Sequence, residues 1–328
     1  MKREGRTTFM LRSMYSGISG MKGFQTKLDV IGNNIANVNT YGFKKGRVVF
    51  KDLMSQTQAG ASGPTGTIGG TNAKQVGLGS TIAAIDTIHG GGSLQSTGRV
   101  LDVAIEGEGF FIAATSSAEG PTDYKYTRSG NFYMDKDGFI VNSDGRYMLA
   151  VTVTDGASPT EPAWDPANPD DMGGYQDLTP TGGTAIVPDP VVTSTNEPDA
   201  IGTTGFIQIP TNAQSMSIST DGKVTFTGAD GKLYYAGQLV MGKFANAEGL
   251  TKDGSNYYMP SANSGDAFFA AGTNDGMGKT VSGSLEMSNV DLSEEFTEMI
   301  VAQRGFQANT RIITTSDEIL QELVNLKR

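Results

Sequence analysis

Two long amphipathic stripes sit at opposite ends of this 328-residue chain. From Met10 to about Asn39 the apolar residues fall at helical spacing: Met14, Met21, Leu28 and Ile35 lie seven apart, Leu11 and Ile18 precede the first two by three, and Phe24, Ile31 and Val38 widen the stripe. At the other end Leu292, Met299, Phe306, Ile313 and Leu320 repeat every seven residues without a break, and Ile312, Ile319 and Leu326 form a second row at the same period. A heptad stripe needs another helix to cover it. The two can pair with each other or with copies from other subunits, and either solution brings the ends together and makes everything between them an insertion. Gly17, Gly20, Gly23 and Gly32 interrupt the first helix at up to ~1 kcal/mol each relative to Ala, so it needs a partner to be stable. Asp291 or Ser293 can cap the second, and Glu294 and Glu295 suit its positive end.

Charge follows the same division. Formal net charge is −10, yet residues 1–51 carry ten Lys/Arg against two Asp/Glu, and residues 285–328 carry four against eight. A basic first helix beside an acidic last one is expected, rather than a nucleic-acid or membrane surface. No apolar run approaches the ~20 residues of a membrane-spanning helix, so no membrane insertion is expected. The start is basic but lacks the apolar core of a cleaved signal. Met10 is a candidate true start, which makes residues 1–9 an N-terminal extension. There is no cysteine and one histidine, which excludes disulfides, thiolate chemistry and His-rich metal sites.

The middle reads as β-structure. Leu101, Val103, Ile105, Phe110 and Ile112 alternate along one stretch, and turn signals at Ser129-Gly130-Asn131, Asp135 to Gly138, Ser143-Asp144-Gly145, Asp221-Gly222 and Asp230-Gly231 punctuate short strands. The expected fold class is α+β: terminal α-helices pairing as a coiled coil, with mainly-β domains inserted between them. The boundaries read as a split helical domain over 10–54 and 285–328, an extended Gly/Ser/Thr-rich connector over 55–80, a β-rich core over 81–150 and 205–284, and a Pro- and Asp-rich outer insertion over 151–204. Residues 260–284 read as a second loose connector on the way out.

Gly32-Asn33-Asn34-Ile35-Ala36-Asn37-Val38-Asn39-Thr40-Tyr41-Gly42-Phe43-Lys44 is unusual, because Asn side chains compete with a helix for backbone hydrogen bonds. A plain helix end closed by a turn at Gly42 accounts for it equally well. This segment resembles the N-terminal signature of the bacterial flagellar axial proteins, the rod and hook family. Leu101 to Phe111, Thr127-Arg128-Ser129-Gly130-Asn131-Phe132, Leu285 to Leu292 and Met299 to Gln307 resemble further motifs of that family, in the right order. The resemblance implies a subunit that polymerises into a helical tube, the curved flagellar hook in first place because of the ending Leu323 to Arg328, with the distal rod of the basal body as the alternative. It also implies contacts with other axial proteins (rod, hook cap and hook–filament junction) and with the flagellar export apparatus, an extracellular location and export without a cleaved signal. On that reading Met14, Ile18, Met21, Leu28 and Ile35 face Met299, Phe306, Ile313 and Leu320, and Leu292, Asn33, Asn34 and Asn37 share the assembly interface.

Catalytic patterns are weak. Asp135-Lys136-Asp137-Gly138 lacks the remaining ligands of a calcium loop and reads as a β-turn. Gly107-Glu108-Gly109 opens no phosphate-binding helix. The neighbours Glu294 and Glu295 point apart on a helix, and His89 reads as a surface loop residue. No cofactor and no enzyme activity are expected. A secreted β-rich enzyme or adhesin acting through the 151–204 insertion is the competing class.

Overall fold

The computed structural model describes residues 4–64, 69–117, 120–152, 176–177, 204–274 and 276–325. The chain divides into two units: residues 1–38, 45–88 and 290–328 form the first, and 39–44 with 89–289 the second. Most of the expected 151–204 insertion lies outside the described residues.

The first unit is built on helix α1 (Glu4–Ala36) and helix α2 (Leu292–Asn325). The backbone of α1 runs back to Glu4, into the stretch expected as an extension. Its last turn tightens as Asn37 N donates to the carbonyls of Asn33 and Asn34 and Val38 N to that of Ile35. Asp291 caps α2: its carboxylate accepts from Ser293 N at 2.8 Å, and its carbonyl accepts from Glu295 N at 3.0 Å. The strand Gly46–Asp52 pairs antiparallel with Ser80–Thr87, with a register shift between Val49 and Phe50. The fold thus places 81–87 with the helices, not with the β-rich core in which the sequence put them. Residues 55–80 are not one extended connector either: Ser55–Ala59 pairs with Lys74–Gly77 as an exposed antiparallel hairpin. β-Branched residues such as Thr57 and Val76 pair locally despite the glycines around them.

The second unit is a large antiparallel sheet whose hub is the strand Leu233–Lys243. It bonds to Lys223–Thr227, Tyr147–Thr152, Phe110–Ser117 and Phe268–Ala271. Neighbouring residues of Phe110–Ser117 feed opposite cores: Phe111 and Ala113 join Met148, Ala150 and Met241 on one face, and Phe110 and Ile112 join Leu149, Val240 and Phe269 on the other. A strand buried on both faces has no polar side to show, hence the continuous apolar run. The turns predicted at Asp221-Gly222 and Asp230-Gly231 close two hairpins, with φ +82 and +78 at the glycines, a region an L side chain rarely adopts. Residues 260–284 are not a loose connector: Phe269, Ala270 and Ala271 are buried on the hub strand, and Lys279–Ser282 pairs with Val103–Glu106.

Candidate functional site

Within the first unit α1 and α2 pack antiparallel. The contacts run in opposite chain directions, from Gly17 against Ile313 and Gly20 against Asn309 to Phe24 against Gly305 and Asn34 against Glu295. Met21 Sδ accepts weakly from Thr310 Oγ1 at 3.9 Å. Gly17 and Gly20 lie at these contacts and Gly23 at the strand Gly46–Asp52, which is why α1 tolerates them there, whereas Gly32 faces open space. A Cβ on Gly20 would sit 3.0 Å from the Asn309 amide, one on Gly23 would meet the Phe50 ring at 2.8 Å, and one on Gly305 would meet the Phe24 ring at 2.6 Å. The Phe24 and Phe50 rings lie 6.1 Å apart, so α1 is pressed on one side by α2 and on another by the strand Gly46–Asp52.

The inward rows of α2 are Met299, Phe306, Ile313 and Leu320, all half-buried, and Glu295, Ala302, Asn309 and Ser316. The second row is therefore small or polar. The apolar row read from the sequence, Ile312 and Ile319, lies at the edge of the pair at 43% and 50% exposure, and Leu326 lies outside the described residues. Periodicity found the stripe but not its centre, because Ile312 and Ile319 flank the inward rows one step round the helix. Met14, Ile18, Met21, Leu28 and Ile35 of α1 are half-buried, and Leu292 is exposed at the first residue of α2.

The asparagines split in role. Asn34 is buried; its amide donates to Gly46 O at 2.9 Å and to Glu295 Oε2 at 3.1 Å, and its oxygen accepts from Gly46 N at 3.0 Å. It mimics a strand neighbour and ties α1, α2 and the first strand together. Asn37 Nδ2 donates to Asn33 O and Oδ1, a local clasp at the helix end. Burial raises the Glu295 carboxyl above its ordinary value, against the opposing Asn34 bond and Lys45. The expected charge pairing appears as Lys27–Glu298 and Lys45–Glu294, both at 2.8 Å.

The second unit holds a buried cluster that the sequence did not reveal as such. Lys44, wholly buried, places Nζ 2.6 Å from Glu286 Oε1 and 2.9 Å from Gly90 O. Arg128 donates to Glu286 Oε2 at 3.3 Å and to Gly107 O at 2.8 Å. Gly92 N donates to Glu286 Oε1 at 3.0 Å, and Gly42 N to the Glu286 carbonyl at 2.8 Å. Gly42 has φ +70, and a Cβ there would meet the Arg128 carbonyl carbon at 2.6 Å, so only glycine fits. Burial lowers both cations from their ordinary values, with Glu286 opposing. His89 is not a surface loop residue. It lies edge-on between Phe110 and Tyr258, at 5.5 and 5.3 Å, and burial first, then Lys44, Arg128 and Lys252, holds its imidazole down at about 4. Each of the separate motifs read around Lys44, Gly107, Arg128 and Glu286 contributes to this one cluster. The signal available in advance was a charged residue two or three positions from a glycine: Lys44 from Gly42, Arg128 from Gly130 and Glu286 from Gly283.

Among the described residues no group of His, Asp and Glu could hold a metal ion.

Three family models match in chain order. Residues 14–44 match one described as flagella basal body rod protein, 104–226 one described as flagellar hook protein FlgE/F/G D1 domain, and 281–326 one described as flagellar basal body rod FlgEFG protein C-terminal. The flagellar basal-body rod protein FlgG of Bacillus subtilis (strain 168) is 53% identical over 320 aligned positions, covering 97% of this chain and all of the relative. Two relatives from Borreliella burgdorferi (strain ATCC 35210 / DSM 4680 / CIP 102532 / B31) are each 33% identical over 97% of this chain and all of their own length. One is a flagellar hook protein FlgE, aligned over 449 positions, and the other a basal-body rod protein FlgG, aligned over 322.

Proposed function

The chain belongs to the flagellar rod and hook protein family, a structural subunit of the flagellar axis, and from that premise we propose that it polymerises into the axial tube through its two terminal helices. The observation that carries this is the incomplete burial of the helix pair. Phe296, Ile300 and Val301 are 49–57% exposed, and Ile312 and Ile319 extend the apolar surface along α2. Apolar residues flanking the packed rows on a helix call for further helices. Pairing of α1 with α2 as a coiled coil, through Met14, Ile18, Met21, Leu28 and Ile35 against Met299, Phe306, Ile313 and Leu320, is supported by the heptad spacing of the inward rows. Copies joined by such contacts, which do not close on themselves, extend as a filament. Other axial proteins would meet the ends of that filament. Export through the flagellar apparatus without a cleaved signal, to a place outside the cell membrane, belongs to the same reading.

Between rod and hook, the balance favours the rod. The likeness to the Bacillus rod protein is 53% with nearly equal lengths, whereas the hook relative spreads the alignment to 449 positions and so carries long segments this chain lacks. The sequence reading preferred the hook, which stays the second reading. Purified protein induced to polymerise should give straight tubes, and curved tubes would return the assignment to the hook. Ile312→Asp, at an exposed position, should leave the monomer folded and prevent polymerisation, and Phe306→Asp within the pair should abolish assembly while leaving the β-unit folded. Normal tubes from both variants in negative-stain images would sink the helix-interface proposal. A secreted enzyme or adhesin is the weaker class, since all three matched families are those of rod and hook proteins.

A further inference from the structure

The cluster in the second unit has an unusual charge balance. Lys44 and Arg128 are 0% and 3% exposed, and the carboxylate of Glu286 is the one acidic group bonded to either among the described residues. Their other acceptors among the described residues are the backbone carbonyls of Gly90, Ile105 and Gly107. His89, beside them, supplies no negative charge. A buried lysine can shed its proton when it loses its counter-ion, but an arginine cannot. Removing Glu286 would therefore leave at least one permanent charge in the interior, the costly case for a buried pair.

The partners are also far apart in the chain. Lys44 stands at the end of the 39–44 segment, and Glu286 stands close to the end of 89–289, so the two residues mark the places where the chain enters and leaves this unit. Backbone bonds reinforce both: Gly42 N to Glu286 O at 2.8 Å, and Met287 N to Ser93 O at 2.9 Å. Glycine at 92 leaves room for the Met287 carbonyl, which a Cβ would meet at 2.0 Å.

We propose that Glu286 is the closing latch of the β-unit: the main sheet, whose strands run from Phe110–Ser117 to Phe268–Ala271, reaches its packed state only when Glu286 arrives to neutralise Lys44 and Arg128, so the entering and leaving segments are locked in the same step that completes the fold. The unit then cannot be finished while the end of its own sequence is held elsewhere, which makes its folding conditional on nearly the whole chain being free. The lock also means that tension between residues 39 and 289 loads the ion cluster and its backbone bonds before it loads the sheet.

The test uses the full-length chain and hydrogen exchange at the amides of Phe110–Ser117 and Leu233–Lys243. Glu286→Gln keeps the shape and removes the charge, and it should speed exchange at these strands by roughly 100-fold or more, the size expected when a buried pair loses one partner. The triple variant Lys44→Met, Arg128→Met and Glu286→Leu removes every charge and should restore protection to within about tenfold of the parent, since apolar replacement of a buried cluster is close to neutral. In pulse-labelled refolding of the parent, Leu285 and Glu286 should gain protection in the same kinetic phase as the two core strands. Three outcomes would overturn the proposal: parent-like exchange in Glu286→Gln, a triple variant as unprotected as the single one, or core strands protected in a phase earlier than Glu286.

Discussion

The two units bury their residues in opposite ways. In the second, Phe111, Phe132, Phe139, Phe206, Phe226 and Tyr235 are almost wholly inaccessible, and both faces of the central strands are covered. In the first, the buried apolar residues among those described are Ile31 and Ala302, and the positions beside them are Asn34, Glu295 and Ser316. One unit is closed and carries its own core. The other has paired helices whose large side chains stay half-exposed, so its hydrophobic stabilisation is incomplete until something else covers it. On the proposed function the difference separates stability from assembly: the β-unit carries its own core, and the helix pair is the surface that other copies would complete.

The largest expected effect breaks this comparison directly. Phe111→Ala, in the closed unit, should cost about 3–5 kcal/mol in denaturant unfolding, because the packed neighbours Phe132, Met148 and Met241 leave a cavity. Met299→Ala, in the open unit, should cost the monomer under about 1 kcal/mol, yet slow or abolish tube formation. Equal losses for the two would mean that the helix pair is a finished core. The next effect is acid sensitivity of the closed unit. His89 is held at about 4 against an ordinary 6.5, so the unfolded chain takes up the proton first as pH falls. The stabilisation is whole above pH 6.5, declines below it and is gone once the pH has passed through 4, a loss of about 3 kcal/mol at most. Between pH 7 and 4 the unfolding free energy of the parent should fall by up to about 3 kcal/mol relative to that of His89→Phe, which has no imidazole to protonate. Parallel curves would show that His89 titrates normally.

Legibility followed the same boundary. Both helices, the Asp291 cap and the Asp-Gly hairpins were readable because periodicity, capping and turn chemistry are local. The orientation of α2 was only half readable. The inward row Met299, Phe306, Ile313 and Leu320 was visible, but its companion row is Glu295, Ala302, Asn309 and Ser316, and no hydropathy pattern marks small and polar residues as buried. The latch was hidden for another reason. Lys44, Arg128 and Glu286 look like ordinary surface charges until the fold joins positions more than a hundred residues apart. Residues 268–271 were misread because their glycine-rich flanks outweighed three core residues, Phe269-Ala270-Ala271, and the half-buried Phe268 before them.

The smallest effects come from the glycines of the open unit, and there the sign is the test. Replacing a mid-helix glycine by alanine gains up to ~1 kcal/mol of helix propensity wherever there is room for the methyl group. Gly32 has no neighbouring atom within 4 Å of where a Cβ would stand, so Gly32→Ala should stabilise α1 by about 0.5–1 kcal/mol. At Gly305 the same methyl group would lie 2.6 to 2.9 Å from three atoms of the Phe24 ring. The ring has to move, and it is held against Phe50, so the overpacking cost of about 1–3 kcal/mol should exceed the propensity gain. Gly305→Ala should therefore lower helix protection in hydrogen exchange by a few-fold, while Gly32→Ala raises it. If both variants gain protection, Phe24 yields freely and the close approach of α1 to α2 is not what keeps glycine at 305; if both lose it, the open space beside Gly32 is filled in the assembled tube or by a neighbour in solution.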